Sequence, residues 1–444
     1  MSEAPREAQA FPTERLLISQ TGPLVGTVAV HGAKNAVLPI MAACLLTDEP
    51  SVIERVPRVM DVLSMIEILR ELGVQCHLVG ERLEVTPGRY LNTTAPYELV
   101  SLMRASICVL GPLLARHGKA RVAMPGGCVI GPRPVDLHIK GLQALGASIE
   151  IEHGDIVATG PALRGTTVHL SGAFGSSVLA TGNVMMAAAL AFGTTIIQHA
   201  ACEPEVVDLA EFLIAMGARI EGQGGPVIKI EGVKRLHGAR YRIIPDRIET
   251  GTLMIAAAVC GGEVMLQGAC DEHLGAVIDK LREAGATVER FDDGLRVAVK
   301  GPLRGVDITT LPYPAFPTDL QAQMMVLMAV SRGVSMITEK VYPERFMHVA
   351  ELSRMGASIT REGPSAIIRG VAQLSGAPVV ATDLRASAAL VLAGLVAENH
   401  TELSGLEHLQ RGYVDLEGQL RSLGAKIQRT TAASSSEAGM STGS

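Results

Sequence analysis

The sequence predicts an α/β protein of six βαβαββ repeats, three in each of two domains. Three observations carry this. A helix-ending signature recurs six times: LRELGV (69–74), LQALGA (142–147), LIAMGA (213–218), LREAGA (281–286), LSRMGA (352–357) and LRSLGA (420–425). Its glycines, Gly73, Gly146, Gly217, Gly285, Gly356 and Gly424, stand 73, 71, 68, 71 and 68 residues apart, the mark of an internal repeat. Each unit also holds a second helix that is apolar nearly all round, and such a helix must be buried on every side.

The elements follow in order within a unit. A glycine after the last turn of a helix suits a left-handed cap. The run behind it alternates and contains a turn, as in SIEIEHGDIVA (148–158) and ATVERFDDGLRVAV (286–299), and reads as a β-hairpin. The apolar helices are KNAVLPIMAACLL (34–46), MRASICVLGPLLA (103–115), VLATGNVMMAAALA (178–191), RIETGTLMIAAAVC (247–260), TDLQAQMMVLMAV (318–330) and DLRASAALVLAGLVA (383–397). An open stack of repeats would leave one face of each wet, so closure into compact groups of three is favoured. The boundary falls near Tyr241–Asp246. One domain is then 34–244, and the other is 1–33 plus 245–429. The N-terminal strand Arg15–Val30 completes the final unit of the second domain. The polar segment 430–444 is expected to be a disordered tail.

Composition excludes several functions. The 444 residues are 48% hydrophobic but only 3% aromatic, with no Trp, so the core is aliphatic. A net charge of −6 argues against nucleic-acid binding through a basic surface. The seven cysteines are irregularly spaced and form no CxxC, so neither a disulfide framework nor a metal site is expected. The first fifteen residues carry acids and no apolar run, and no long segment is free of polar breaks. The expectation is a cytoplasmic protein with no membrane span, metal or cofactor.

Polar residues gather where the buried helices begin. Lys34 and Asn35 open the first, Arg104 the second, and Ser177 and Thr181 the third. Asp246, Arg247 and Glu249 open the fourth, Thr318 and Asp319 the fifth, Asp383 and Arg385 the sixth. Taken singly, the Ser, Thr and Asp are ordinary N-caps. Lys34, Arg104 and Arg385 are not, because a cation is unfavourable at the positive end of a helix dipole unless it meets an anion. Arg345 and Arg411 fall at the same position class before outer helices. The segment MPGGCVIGPRPVDLH (124–138) tolerates no regular structure and reads as a loop over Pro125–Pro134. It places Cys128 near Arg133, which favours the thiolate, whereas Cys44, Cys108 and Cys260 lie in buried helices. No GxSxG, phosphate-binding loop or dinucleotide fingerprint is present. His138, His348 and His408 lack metal-ligand spacing and read as structural or as supports behind the residues that touch the substrates.

The motifs GAKNA (32–36), LMRAS (102–106), PGGCVIGPRPVDLH (125–138), PDRIETGT (245–252), PAFPTDLQAQ (314–323), RFMHVAELSRMGA (345–357), TDLRAS (382–387) and RGY (411–413) closely resemble those of the UDP-N-acetylglucosamine enolpyruvyl transferases. The resemblance covers about 15–428. The cysteine loop separates this family from the related shikimate-pathway synthases. The resemblance implies an inside-out α/β barrel in each of two domains, with the site between them. It implies transfer of the enolpyruvyl group of phosphoenolpyruvate to the 3′-hydroxyl of UDP-N-acetylglucosamine, with release of phosphate, at the start of peptidoglycan synthesis. Cys128 would be the proton donor, able also to form an adduct. Catalysis would further involve Lys34, Asp319 and Arg411. Lys34, Asn35, Arg133, Arg345, Arg385 and Arg411 would hold phosphoenolpyruvate. Arg104 and the run Arg133, Pro134, Val135, Asp136 and Leu137 would line the sugar nucleotide, and Ser177 and Val178 its diphosphate. Asp319 would be the base at the sugar hydroxyl, with Val341 nearby.

Three positions depart from the family pattern. Gly175 stands where a lysine is usual, Leu179 replaces a glycine, and Gln410 replaces an acid. They keep two other readings open: a transferase with a different nucleotide acceptor, and a non-catalytic UDP-sugar sensor.

Overall fold

Four of the six buried helices connect two parallel strands of one sheet, while Lys34–Ala43 and Arg247–Cys260 lead from a strand of one half to a strand of the other. The computed structural model describes residues 14–88, 91–126, 135–173, 175–291 and 293–431. In the third unit, Thr167–His169 leads through the helix Val178–Ala188 to Thr194–Gln198, which lies parallel to the first strand. The outer helix Pro204–Ala215 follows, then the hairpin Arg219–Glu221 and Val227–Glu231, whose second arm pairs antiparallel with Thr194–Gln198. The same four-stranded order is built six times.

The signature glycines end the outer helices as expected. Gly73, Gly146, Gly217, Gly285, Gly356 and Gly424 have φ of 94°, 96°, 99°, 110°, 88° and 102°, the left-handed region that favours glycine. The buried helices are covered on all sides. In Val178–Ala188 every residue from Ala180 to Ala188 is buried, and in Leu384–Val396 every residue from Arg385 to Leu395 is. Small residues let them meet: Gly111 donates its N–H to Asn183 Oδ1 at 2.8 Å, and a Cβ there would lie 2.4 Å from the Asn183 carbonyl oxygen. Strands alternate buried and exposed residues, as in Val227–Glu231, so each sheet covers the helices with one face and meets solvent with the other. Helices inside and sheets outside make the expected inside-out α/β arrangement.

Two sequence expectations need correction. The segment 15–30 is two strands, because Gly22 and Pro23 break it. Glu14–Ser19 pairs with Lys426–Thr431 and His400–Ser404 and completes the sixth unit. Leu24–Ala29 pairs with Gly262–Gln267 and opens the fourth. The tail also starts later than 430, since Thr430 and Thr431 pair with Arg15 and Glu14. Residues 432–444 lie outside the described residues, as do 1–13.

Buried apolar side chains form two clusters. One runs from Val37 to Ile243, and the other joins Leu16–Val30 to Ile248–Ile427. The chain therefore crosses twice between two halves. The crossing segments pair: Ala33 N–H donates to the Ile244 carbonyl at 2.9 Å, and Asp246 N–H to the His31 carbonyl at 2.9 Å. Among the described residues no helix is long and apolar enough to cross a membrane.

Candidate active site

Two carboxylates meet the helix-opening cations Lys34 and Arg385. Lys34, the first residue of the helix Lys34–Ala43, places Nζ 2.8 Å from Asp61 Oδ2. Asp61 sits in the first turn of the outer helix Met60–Glu71, where a negative charge suits the dipole. Its Oδ1 accepts from Arg411 Nε at 3.0 Å. Arg411 caps the C-terminal end of the short helix Leu406–Gln410 in the other half. Burial pushes the Asp61 carboxyl up, but Lys34 and Arg411 outweigh it and hold it below the usual carboxylate range.

The second carboxylate is Asp319, in the 3₁₀ turn Thr318–Leu320 that leads into the helix Gln321–Val330. Arg345 Nη1 donates to Oδ1 at 2.8 Å and Arg385 Nη2 to Oδ2 at 2.9 Å. Burial raises the Asp319 carboxyl, and Arg385 and Arg345 together hold it well below its ordinary value. Arg345 also donates to Thr318 Oγ1 at 3.0 Å. The Thr318 hydroxyl donates to Glu339 Oε2 at 2.9 Å, and the other oxygen of Glu339 accepts the N–H of Val341 at 2.8 Å. Val341 thus joins the Asp319 group through Thr318 and Glu339.

Arg385 is the second residue of the helix Leu384–Val396, which Asp383 caps by accepting from Arg385 N and Ala386 N. Its Nη1 donates to the Tyr413 hydroxyl at 3.3 Å. Tyr413 lies two residues beyond Arg411, so one short segment of chain carries a partner of each carboxylate group.

Two further contacts join the halves here. Asp246 caps the helix Arg247–Cys260 with Oδ1 and accepts the Lys34 N–H on Oδ2 at 3.1 Å. Arg247 Nε donates to Glu205 Oε1, in the first turn of Pro204–Ala215, at 2.9 Å.

The remaining expected site residues stand at helix N-termini of the first half. Asn35 is half-buried beside Lys34. Ser177 accepts the Ala180 N–H at 3.3 Å and so acts as the N-cap of the helix that Val178 begins. Val135 and Leu137 are buried and Asp136 is exposed at the start of Asp136–Ala144. Arg104 opens the 3₁₀ segment Arg104–Val109 near His138. Burial, with Arg104 adding, pushes His138 down to about 3, and its Nδ1 accepts from Asn183 Nδ2 at 2.9 Å. Cys128, Arg133 and Pro134 lie outside the described residues. Gly175 has φ +97°, a conformation in which a lysine would be strained.

The comparisons decide the family. The family model for EPSP synthase (3-phosphoshikimate 1-carboxyvinyltransferase) matches residues 18–420. The chain belongs to the enolpyruvyl transferase family. It is 54% identical to the UDP-N-acetylglucosamine 1-carboxyvinyltransferase of Methylacidiphilum infernorum, over 94% of this chain and 99% of that one. It is 52% identical to the protein of the same name from Granulibacter bethesdensis, again over 94% and 99%. Among solved structures, the enolpyruvyl transferase NikO of Streptomyces tendae superposes with a TM-score of 0.85 at 27% identity, over 95% of this chain and all of that one. An EPSP synthase of Acinetobacter baumannii, at 19% identity and a TM-score of 0.72 over 94% of this chain, shares the fold. As a member of this family the chain is a transferase.

Sequence reasoning missed Asp61, Glu205 and the contact role of Tyr413. Asp61 and Glu205 each look like an ordinary dipole-favouring acid in a first turn, and nothing local marks their partners 350 and 42 residues away.

Proposed function

We propose that this enzyme transfers the enolpyruvyl group of phosphoenolpyruvate to the 3′-hydroxyl of UDP-N-acetylglucosamine, releasing phosphate, as the first committed step of peptidoglycan synthesis. The observation that carries this reading is that four cations drawn from both halves converge on two carboxylates, Lys34 and Arg411 on Asp61 and Arg385 and Arg345 on Asp319. A small, multiply charged anion is the natural counterpart of such a set.

In this reading Lys34, Asn35, Arg345, Arg385 and Arg411, with Arg133, hold the phosphate and carboxylate of phosphoenolpyruvate. Arg104, Val135–Leu137, Ser177 and Val178 line the nucleotide, whose diphosphate suits the N–H groups of helix N-termini. Asp319 takes the proton from the 3′-hydroxyl while that oxygen bonds to carbon 2 of phosphoenolpyruvate. Cys128 gives its proton to carbon 3. The adduct then loses a proton from carbon 3 and the bond from carbon 2 to the phosphate oxygen, which restores the double bond and frees phosphate. Asp319 is ionised at neutral pH, as a base must be. An anion that draws Arg385 and Arg345 toward itself leaves that carboxylate more basic.

The test is phosphate release from phosphoenolpyruvate with UDP-N-acetylglucosamine and with other uridine nucleotides. Turnover with UDP-N-acetylglucosamine, lost in Asp319→Asn and Cys128→Ser, is expected. No phosphate release from intact protein with that acceptor overturns the reading.

A further inference from the structure

The third residue of the RGY motif has no role in the reaction as described, yet it closes a hydrogen-bond chain that ends on Asp319. Tyr413 is 4% exposed, so its hydroxyl is sealed from the cleft. That hydroxyl lies 2.8 Å from Thr252 Oγ1, on the fourth buried helix. The direction of the bond follows from proton counting. Thr252 has one hydroxyl proton and donates it to the Ile248 carbonyl at 2.8 Å. Its oxygen can then only accept, and Gln323 Nε2 donates to it at 3.1 Å. Tyr413 must therefore donate to Thr252. Its lone pairs are left facing Arg385 Nη1 at 3.3 Å and Gln323 Nε2 at 3.4 Å.

The consequence is geometric. Arg385 is gripped at Nη1 by Tyr413 and at Nη2 by Asp319, and its Cζ sits 5.6 Å from the centre of the tyrosine ring. Two contacts on separate nitrogens fix the plane of a guanidinium, which one contact does not. Arg385 Nε is buried and has no partner among the described residues, so one donor of the fixed fork is unspent there.

We propose that Tyr413 is a positioning residue: its hydroxyl, aimed by Thr252, orients the Arg385 guanidinium for Asp319 and for the phosphoenolpyruvate anion. This rests on the reading of Asp319 and Arg385 as reaction-site groups. Tyr413 touches no substrate and acts through Arg385 alone.

The test is steady-state kinetics with phosphoenolpyruvate varied, alongside calorimetric binding of UDP-N-acetylglucosamine, on Tyr413→Phe, Thr252→Val, Thr252→Ser and Asp319→Asn. Tyr413→Phe keeps the ring and loses the hydroxyl. It is expected to raise KM for phosphoenolpyruvate about 10-fold, the scale of one hydrogen bond to a charged group, with nucleotide affinity unchanged within about 2-fold. Thr252→Val should move the same parameter in the same direction by less, and Thr252→Ser, which keeps the oxygen, should restore it. The serine rescue answers the case in which Tyr413→Phe does not fold. A wild-type KM for phosphoenolpyruvate in both Tyr413→Phe and Thr252→Val overturns the inference. So does an equal loss for both substrates in step with thermal stability, which marks a structural role only. If Asp319→Asn keeps full turnover, the reading of the site itself fails, whatever Tyr413 does.

Discussion

Arg411 of one half reaches 3.0 Å across to Asp61 of the other, and Asp61 simultaneously holds Lys34 at 2.8 Å. One carboxylate thus positions two cations and ties the halves together at the cleft. Replacing it with Ala removes the carboxylate that Lys34 and Arg411 share. Asp61→Ala is expected to expand the ligand-free protein, seen as a larger radius of gyration in X-ray scattering. It should also lower kcat/KM for phosphoenolpyruvate by about 10-fold or more, the scale of losing a charged hydrogen bond. An unchanged radius and unchanged kinetics would show that the triad is incidental.

The paired arginines make Asp319 an acid-sensitive element. Its carboxyl is held well below the ordinary value when folded, because Arg385 and Arg345 outweigh burial. A depressed folded value means that the unfolded chain binds the proton more readily. The contribution to stability is therefore full above the unfolded value, near 4, and is lost as pH falls through the folded one. Asp61 adds to the same slope. Asp319→Asn should cost about 2–3 kcal/mol at pH 7. That is the low end for breaking a buried pair, since a quarter of the side chain is exposed. The variant should also show a shallower loss of melting temperature below pH 4.

How far these groups could be read from the sequence depends on how local their signals are. The six glycine caps, the all-apolar helices and the hairpins were legible because each is set by neighbours within one turn or one loop. The cations Lys34, Arg345, Arg385 and Arg411 were legible because they contradict the dipole at their own positions or match family motifs. Asp61 was not, since an acid in a first turn needs no explanation, and its partner Arg411 is 350 residues away. The split of 15–30 between two sheets was equally hidden: both strands find their partners after hundreds of residues, and only the break at Gly22 and Pro23 hints at it.

The crossing segment allows no side chain at Gly32. A Cβ there would stand 1.8 Å from the Arg55 carbonyl oxygen and 2.7 Å from Ile243 Cδ1. The obstacle is backbone, so it cannot swing aside. Gly32→Ala must push the first crossing segment off the Arg55 backbone, which disturbs its bonds to the second at Ala33–Ile244 and Asp246–His31. A loss of about 3 kcal/mol is expected, the upper range for overpacking, measured by urea unfolding. An unaffected midpoint would show that the crossing is loose.

The same crossing carries a base-sensitive contact. His31 Nδ1 lies 2.7 Å from Glu249 Oε1, and Glu249 Oε2 accepts the His31 N–H at 2.7 Å. The hydrogen bond to Glu249 raises the imidazole above its ordinary 6.5, against burial, which lowers it. A raised folded value means that its stabilisation is full below 6.5 and fades as pH rises through the folded value. His31→Gln should therefore flatten the fall in melting temperature that the native protein shows above pH 6.5. Histidine NMR titration should find one ring protonating above 6.5 that is missing from the variant.

Thiol reactivity separates the cysteines by environment. Burial pushes Cys44, Cys76, Cys108 and Cys260 up to about 12, and Cys202 is also raised, so these thiols are essentially protonated at pH 7. The segment around Cys128 differs in sequence, with two glycines before the cysteine and Arg133 after it. A small anionic epoxide such as fosfomycin requires a thiolate and a cationic pocket, which the reading of the site gives to Cys128 alone. Mass spectrometry of the native protein is expected to find one adduct, on the peptide containing Cys128. Cys44, Cys76 and Cys108, which are buried, should become reactive only after denaturation. Prior saturation with UDP-N-acetylglucosamine and phosphoenolpyruvate should slow the labelling, because the same cations would then be engaged. Native labelling of Cys44 or Cys108 would mean that the helices carrying them open far more readily than their complete burial allows.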